Sequence, residues 1–296
     1  MTADSGAVRA LTRRDIAWRK IRSQFIRFRR LSALRIAADY RRAARLRAGR
    51  SLALPQAGRG GERLVVSMTT IPERIDTLVP TLLSLREQTR AADRIILALP
   101  EKSLRSGKPY ALPADLPKGI DILRCVDTGP STKLLPALLA EPEALVVAVD
   151  DDMIYPHDFL QTLVEAHRSF PAAALGWRGW RLEPGVDPRH FEHVWGSAVA
   201  QPTEVDILLG VWGYLIPPGA LDKGVHDYAG WPDEVRWVDD VWVAAHLARR
   251  KVPRLVVPAP GLPIPRHTSR LAALTFGLNA SGHNDRVAIH AFADWW

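Results

Sequence analysis

Six apolar residues, Ala144-Leu-Val-Val-Ala-Val149, run directly into Asp150-Asp151-Asp152. With a turn signal at Glu141-Pro142 before them, they read as a short strand buried on both faces, the kind found inside a parallel sheet with helices above and below. Strand side chains alternate, so Asp150 and Asp152 are expected on one side, about 7 Å apart at the backbone, with Asp151 facing away. Clustered carboxylates repel, and a partly desolvated one costs several kcal/mol unless it is paired or bound to a cation. Oxygen ligands favour a hard ion, Mg²⁺ or Mn²⁺, which takes one or two protein carboxylates and completes its shell with substrate phosphates and water. A solvated turn would also accommodate an acidic triplet. Its place at the carboxyl end of an apolar strand, where open α/β sheets bind ligands, favours a phosphorylated substrate.

The same logic extends along the chain. Arg63–Met68, Arg94–Leu99 and Ile120–Val126 are further buried strands, and a helix is expected from Thr77 to Thr89 with Pro80 in its first turn. Asp127-Thr-Gly-Pro-Ser-Thr-Lys133 opens a short leucine-rich helix, and Pro156 begins another that reaches Arg168. Strand alternating with helix implies an α/β fold: a single Rossmann-like, mostly parallel sheet flanked by helices and joined by right-handed crossovers. Thr70, Asp127, Lys133 and Asp150–Asp152 would then meet in one crevice at the sheet's ligand edge. Lys251–Val257 reads as a last strand at a sheet edge, where Pro253 is tolerated. Pro258, Pro260, Pro263 and Pro265 exclude regular structure at the start of the tail.

Charge is unevenly distributed. Residues 1–50 hold fourteen Arg and one Lys against Asp4, Asp15 and Asp39, a balance of +12, whereas residues 51–296 carry 25 basic and 29 acidic groups, or −4. Leu11, Trp18, Ile21, Phe25 and Phe28 recur at helical spacing among these arginines. That composition suits an amphipathic helix lying on an anionic membrane surface, here through residues 11–48. A helix docked on the body is the competing reading; nucleic acid is excluded as a partner because no base-reading motif accompanies the charge. Gly49–Gly61 reads as a linker. The division expected is therefore a basic helical arm and linker over 1–61, a catalytic domain over 62–260 and a tail over 261–296 that closes the site. A single cysteine, Cys125, excludes an internal disulfide, and the charged start lacks the apolar core of a signal peptide. A cytoplasmic chain, peripheral on the inner face of the cell membrane, is the expectation.

Seven of the ten tryptophans lie between Trp177 and Trp242. Flat aromatic faces can form recognition walls, so two or three of them are expected to serve a ligand, without indication of which, and the others to be core. Trp237-Val-Asp239-Asp240-Val-Trp242 starts a helix with acids at its amino end, where the helix dipole also favours them.

Five segments together resemble a nucleotide-sugar glycosyltransferase with the A-type fold, of the bacterial family-2-like branch: Val65–Arg74, Asp127–Lys133, Val149–Pro156, Asp206–Gly210 and Val238–Trp242. The resemblance covers about residues 62–257. It implies that Thr70, Arg74 and Asp127 hold the nucleoside, with Asp151 also on the donor, and that Lys133 lies near the diphosphate. It further implies that Asp150 and Asp152 place Mn²⁺ or Mg²⁺ across that diphosphate, with His267 completing the metal site. In an inverting reaction one carboxylate takes the acceptor's proton, a role that falls by similarity to Asp239 ahead of Asp240. The partners implied are a nucleotide-sugar donor, a UDP-sugar foremost, and a glycan or lipid-linked acceptor. A nucleotidyltransferase on a similar sheet would also use acids and metal, but Thr69–Arg74 has no glycine for its phosphate loop. An inactive membrane-associated scaffold is the non-enzymatic alternative.

Overall fold

The computed structural model describes residues 12–52, 61–112, 116–267, 274 and 277–296. Leu11 and residues 53–60 of the expected linker lie outside them. The elements in chain order are α1 (Arg13–Ile26), α2 (Ala33–Arg47), β1 (Leu64–Met68), α3 (Val79–Arg86), β2 (Arg94–Pro100), β3 (Asp121–Cys125), α4 (Leu135–Ala140), β4 (Leu145–Val149), β5 (Met153–Ile154), α5 (Phe159–Ser169) and β6 (Ala174–Gly176). There follow β7 (Arg178–Arg181), β8 (Glu192–Trp195), β9 (Thr203–Glu204), β10 (Ile207–Leu208), β11 (Tyr214–Ile216), α6 (Asp239–Arg249), β12 (Arg254–Val256), β13 (Ile264–Pro265) and α7 (His283–Ala291).

The fold is α/β. Eight strands form one mixed sheet in the order β3-β2-β1-β4-β11-β6-β12-β9. β3, β2, β1 and β4 are parallel, as is β6 with β12; β11 runs antiparallel to both its neighbours, and β9 to β12. Every residue of β1 and β4 is buried, because the strand's two sets of side chains enter two separate cores. Leu145, Val147 and Val149 face α2, α3 and α5 through Leu46, Leu82 and Phe159. Val146 and Ala148 face α4 and α6 through Leu135 and Trp242. Continuous apolarity thus reports two-sided burial, as the strand reading requires.

From β1 the chain passes to β2 and β3 on one side, then returns to β4 on the other. Between the carboxyl ends of β1 and β4 lies a topological switch point, where such sheets leave a crevice. Thr69-Thr70 and Asp150–Asp152 leave the sheet there.

Several boundaries differ from expectation for identifiable reasons. α3 is shorter than Thr77–Thr89 because Ile75–Thr77 winds as a 3₁₀ turn before it. α5 starts at Phe159 instead of Pro156: Gln88 Oε1 accepts from Leu160 N while Gln88 Nε2 donates to Pro156 O, so a distant side chain sets the helix start. β12 is not an edge strand, since β9 pairs outside it, and Pro253 precedes it. The Pro-rich tail does form a short ladder, β13 against β5, with Pro265 opposite Met153.

α1 and α2 pack on the body. Ala43 and Leu46 are fully buried in the core. The arginines that make this segment basic meet carboxylates of the acidic remainder: Arg19 with Glu183, Arg35 with Asp158, and Arg42 and Arg45 with Glu87. Glu87 is 3% exposed, and its carboxylate accepts from Arg45 twice (2.9 and 2.6 Å), from Ser51 Oγ and from Leu52 N. Removing it strands two guanidinium groups. Glu87→Ala is expected to cost about 3 kcal/mol, read as a lowered urea midpoint; an unchanged midpoint would show that α2 is only loosely attached.

Candidate active site

Asp150 directly follows β4, and the chain turns at Asp151-Asp152 before β5. Strand alternation therefore ends at Val149, and the expected pairing of Asp150 with Asp152 on one side is corrected. Asp151 points into the protein: it is 4% exposed, accepts from Thr70 Oγ1 at 2.5 Å and pairs with Arg74 at 3.1 Å. Asp152 shares that guanidinium, accepting from Arg74 Nη1 at 2.7 Å. Asp150 turns instead to Lys133, with its Oδ1 2.8 Å from Nζ. The backbone of the triplet is fixed as well, for Asp150 N donates to Tyr155 Oη and the Asp151 carbonyl accepts from Thr81 Oγ1 and Arg266 Nη1.

Lys133 links this turn to α6. Its ammonium lies 2.9 Å from Asp239 Oδ2 as well as on Asp150. Asp239 and Asp240 occupy the first turn of α6, where the helix dipole stabilises anions. Asp240 Oδ1 accepts from Gly210 N at 2.9 Å. A β-carbon at Gly210 would overlap Lys133 Nζ and displace the ammonium from its position between its two partners. Asp127 closes the loop entering the Lys133 segment, accepting from Gly129 N and Leu104 N. Gly129 (φ 76°) would place a β-carbon 2.8 Å from the Arg236 carbonyl.

Thr70, Arg74, Asp127, Lys133, Asp150, Asp151, Asp152, Asp239 and Asp240 all line one cavity of about 860 Å³. His267 is exposed and outside that lining; it is its neighbour Arg266 that touches the triplet, with its N donating to the Asp152 carbonyl. Trp180, Trp195, Trp212 and Trp237 line the cavity, whereas Trp177 and Trp242 are core. Arg178, His193 and Gly210 belong to the lining or its support and carried no role in the sequence reading, apart from Gly210 lying within the segment Asp206–Gly210; Arg27, read only as one of the arginines of the membrane-binding arm, also lines the cavity.

Five aspartates face Lys133 and Arg74. Burial, then the neighbouring Asp150 and Asp151, raise the Asp152 carboxyl to about 7. Burial and Asp239 raise Asp240 to about 8. Burial alone would lower Lys133, but Asp150 and Asp239 reverse this and hold it charged. Among the described residues no three metal-ligating side chains already converge, since Lys133 and Arg74 stand between the carboxylates. The donor set is nonetheless all oxygen and anionic in excess, which fits a hard divalent cation.

These shifts predict how the metal-free protein responds to pH. Unfolded carboxyls titrate near about 4, so the folded chain holds protons on Asp152 and Asp240 that the unfolded chain has lost. His193 and His246, lowered to about 3 and about 4 by burial, oppose this trend only below about pH 6.5. Stability should therefore fall as pH rises through about 7 to 8. Asp152→Asn should flatten the slope of the thermal midpoint; a midpoint that climbs over this range contradicts the assignment.

No protein-family model matches the sequence, and no curated protein does. Among solved structures the chain is similar to a mannosyltransferase from Pyrobaculum calidifontis in complex with GDP-Man and Mn²⁺, with a TM-score of 0.45 and 15% identity over 94% of this chain and 74% of that one.

Proposed function

We propose that the chain is a metal-dependent glycosyltransferase of hexosyltransferase type, with the A-type fold, that moves a sugar from a nucleoside-diphosphate donor to a glycan or lipid-linked acceptor. The observation that supports this most is the excess of carboxylates over cations in one crevice at the switch point. Asp150 and Asp152 would hold Mn²⁺ or Mg²⁺. The ion, when bound, offsets the negative charge that gathers on a departing diphosphate. Lys133 adds a fixed positive charge in the same place. Arg74 and Asp127, at the ends of β1 and β3, suit the nucleoside, while Thr70 and Asp151 act by anchoring each other. Leu262–Pro265, Leu274, Asn279 and Asp285 also line the cavity, which supports reading 261–296 as the segment that closes it.

For the general base, Asp240 is better suited than the Asp239 favoured on resemblance. Asp239 is 7% exposed and committed to Lys133. Asp240 has one oxygen held by Gly210 N and a carboxyl raised to about 8, near the pH at which a base works best. It can take the acceptor hydroxyl's proton as that oxygen attacks the sugar from the side opposite the leaving group, giving inversion. Asp240→Asn should lower transfer by about 10²- to 10⁴-fold with donor binding retained. Asp152→Ala should abolish Mn²⁺-dependent hydrolysis of UDP- or GDP-sugars, and unchanged turnover in that variant would remove the proposal.

We further propose that the enzyme is peripheral on an anionic membrane. No helix among the described residues is long and apolar enough to cross one. α1 is apolar on two sides: Ile26 packs inward, while Trp18 (66% exposed), Ile21 and Phe25 (75%) share an outward face with Arg14 and Arg22. Aromatic anchors among arginines suit a headgroup layer, each arginine contributing about 1 kcal/mol. Trp18→Ser with Phe25→Ser should lower sedimentation with phosphatidylserine vesicles by roughly tenfold or more, and equal binding would refute it. Deleting residues 1–50 would not serve as the test, because α2 belongs to the core.

A further inference from the structure

Two guanidinium groups in the cavity stand apart from Arg74, which also lines it, and from Arg35, Arg42 and Arg45. Arg35, Arg42, Arg45 and Arg74 each meet a carboxylate. Arg178, on β7, and Arg27, in the turn after α1, both line the cavity, and among the described residues neither has an ion-pair partner. The Nε of each is buried without a hydrogen-bond partner, as is that of Arg42 and of Arg74; the difference is that those two have a carboxylate on the guanidinium and Arg27 and Arg178 have none among the described residues. Arg178 lies over the Trp195 ring at 4.1 Å, and its Nη2 is 3.1 Å from His193 Nδ1. Trp180 Nε1 also donates to that nitrogen, so His193 accepts there as a neutral ring, and a histidine has no negative charge to offer the arginine. Arg27 lies over Phe28 at 4.6 Å. Its turn is fastened beside β8 by Arg30 N donating to the Ser197 carbonyl. The two arginines are close enough for Arg27 to disfavour the charge on Arg178; burial is the larger cause, and together they lower it to about 10 even with Asp240 opposing.

Two unpaired, partly desolvated like charges beside one another are unfavourable by themselves. Chain folding retains them because α1, β7 and β8 impose the arrangement. An anion entering the cavity would relieve the repulsion and fill the open guanidinium donors, and planar guanidinium forks suit phosphate oxygens in particular. The location separates this pair from the donor machinery. β7 belongs to a three-stranded sheet with β8 and β10, whereas Asp127, Lys133 and the aspartate triplet attach to β1, β3 and β4. Asp240 is the carboxylate that acts on Arg178, so the anion would lie on the side of the proposed base.

We propose that Arg27 and Arg178 form an anion subsite that binds a phosphate group of the acceptor, with Trp195 and Trp212 as an apolar wall beside it. This deepens the glycosyltransferase reading and rests on it: the acceptor is a phosphorylated molecule, and the segment after α1 completes its site.

The test uses the full chain and calorimetry, with octyl phosphate as a lipid-like probe and ribose 5-phosphate as a sugar-like one, each titrated with UDP and Mn²⁺ already bound. The wild type should bind at least one phosphate monoester; preference for octyl phosphate points to a lipid-linked source and preference for ribose 5-phosphate to a soluble one. Arg178→Gln and Arg27→Gln should each weaken that binding by roughly tenfold to a hundredfold, with Arg178→Lys recovering part of it and UDP–Mn²⁺ affinity unchanged. Arg27 sits in a surface turn, so its variant keeps the test open should Arg178→Gln fail to fold. Undiminished phosphate binding in both variants, competition between UDP and the probe, or no binding of either probe in the millimolar range would overturn the proposal. If the wild type binds phosphate through Arg27 and Arg178 but not UDP with Mn²⁺, the anion subsite stands and the donor reading fails.

Discussion

The ammonium of Lys133 is the point through which the two halves of the sheet communicate. It is supplied by the connection from β3 to β4, yet its partners are Asp150 at the end of β4 and Asp239 at the start of α6. Burying an amine costs several kcal/mol unless it is fully paired. Here the two carboxylates and the neighbouring Asp240 more than compensate, and the lysine stays charged. Gly210 contributes by having no side chain in the space the ammonium needs. The parallel half of the sheet and the mixed half are thus tied at their shared crevice by one cation.

The cavity that results is electrically divided. Its β1–β4 side carries the carboxylates with Lys133 and Arg74, while its β7–β8 side carries aromatic rings, a neutral histidine and two unpaired guanidinium groups. Such a division suits a reaction that joins two different molecules. Each side is held by a separate strand system, so a change in one substrate's recognition need not disturb the other's.

Much of this architecture was legible in the sequence, for a physical reason. β1, β2 and β4 are buried on both faces and so announce themselves as unbroken apolar runs. Strands of two to four residues, such as β5, β7 and β10, are too short to show a period. The aspartates were visible as a cluster, but their directions were not, because those depend on Thr70, Arg74 and Lys133 arriving from elsewhere. α1 looked amphipathic, yet with Ile26 inward and Trp18 and Phe25 outward its apolar residues serve two surfaces. Arg178 gave no signal at all, since what distinguishes it is the lack of a carboxylate partner among the described residues.

The arginines of α1 and α2 find their partners far along the chain: Arg45 and Glu87 are 42 residues apart, Arg35 and Asp158 are 123, and Arg19 and Glu183 are 164. During synthesis at roughly 5 to 20 residues per second, the leading helices emerge well before any of those carboxylates exist. Their docking must therefore come in steps, α2 near Glu87 first, α1 against Glu183 later, and α2 again when Leu262 N reaches Asp39 and the Pro265 carbonyl reaches Arg47. Helices α1 and α2, synthesised before their partners, are not fully fastened until the carboxyl-terminal segment reaches α2.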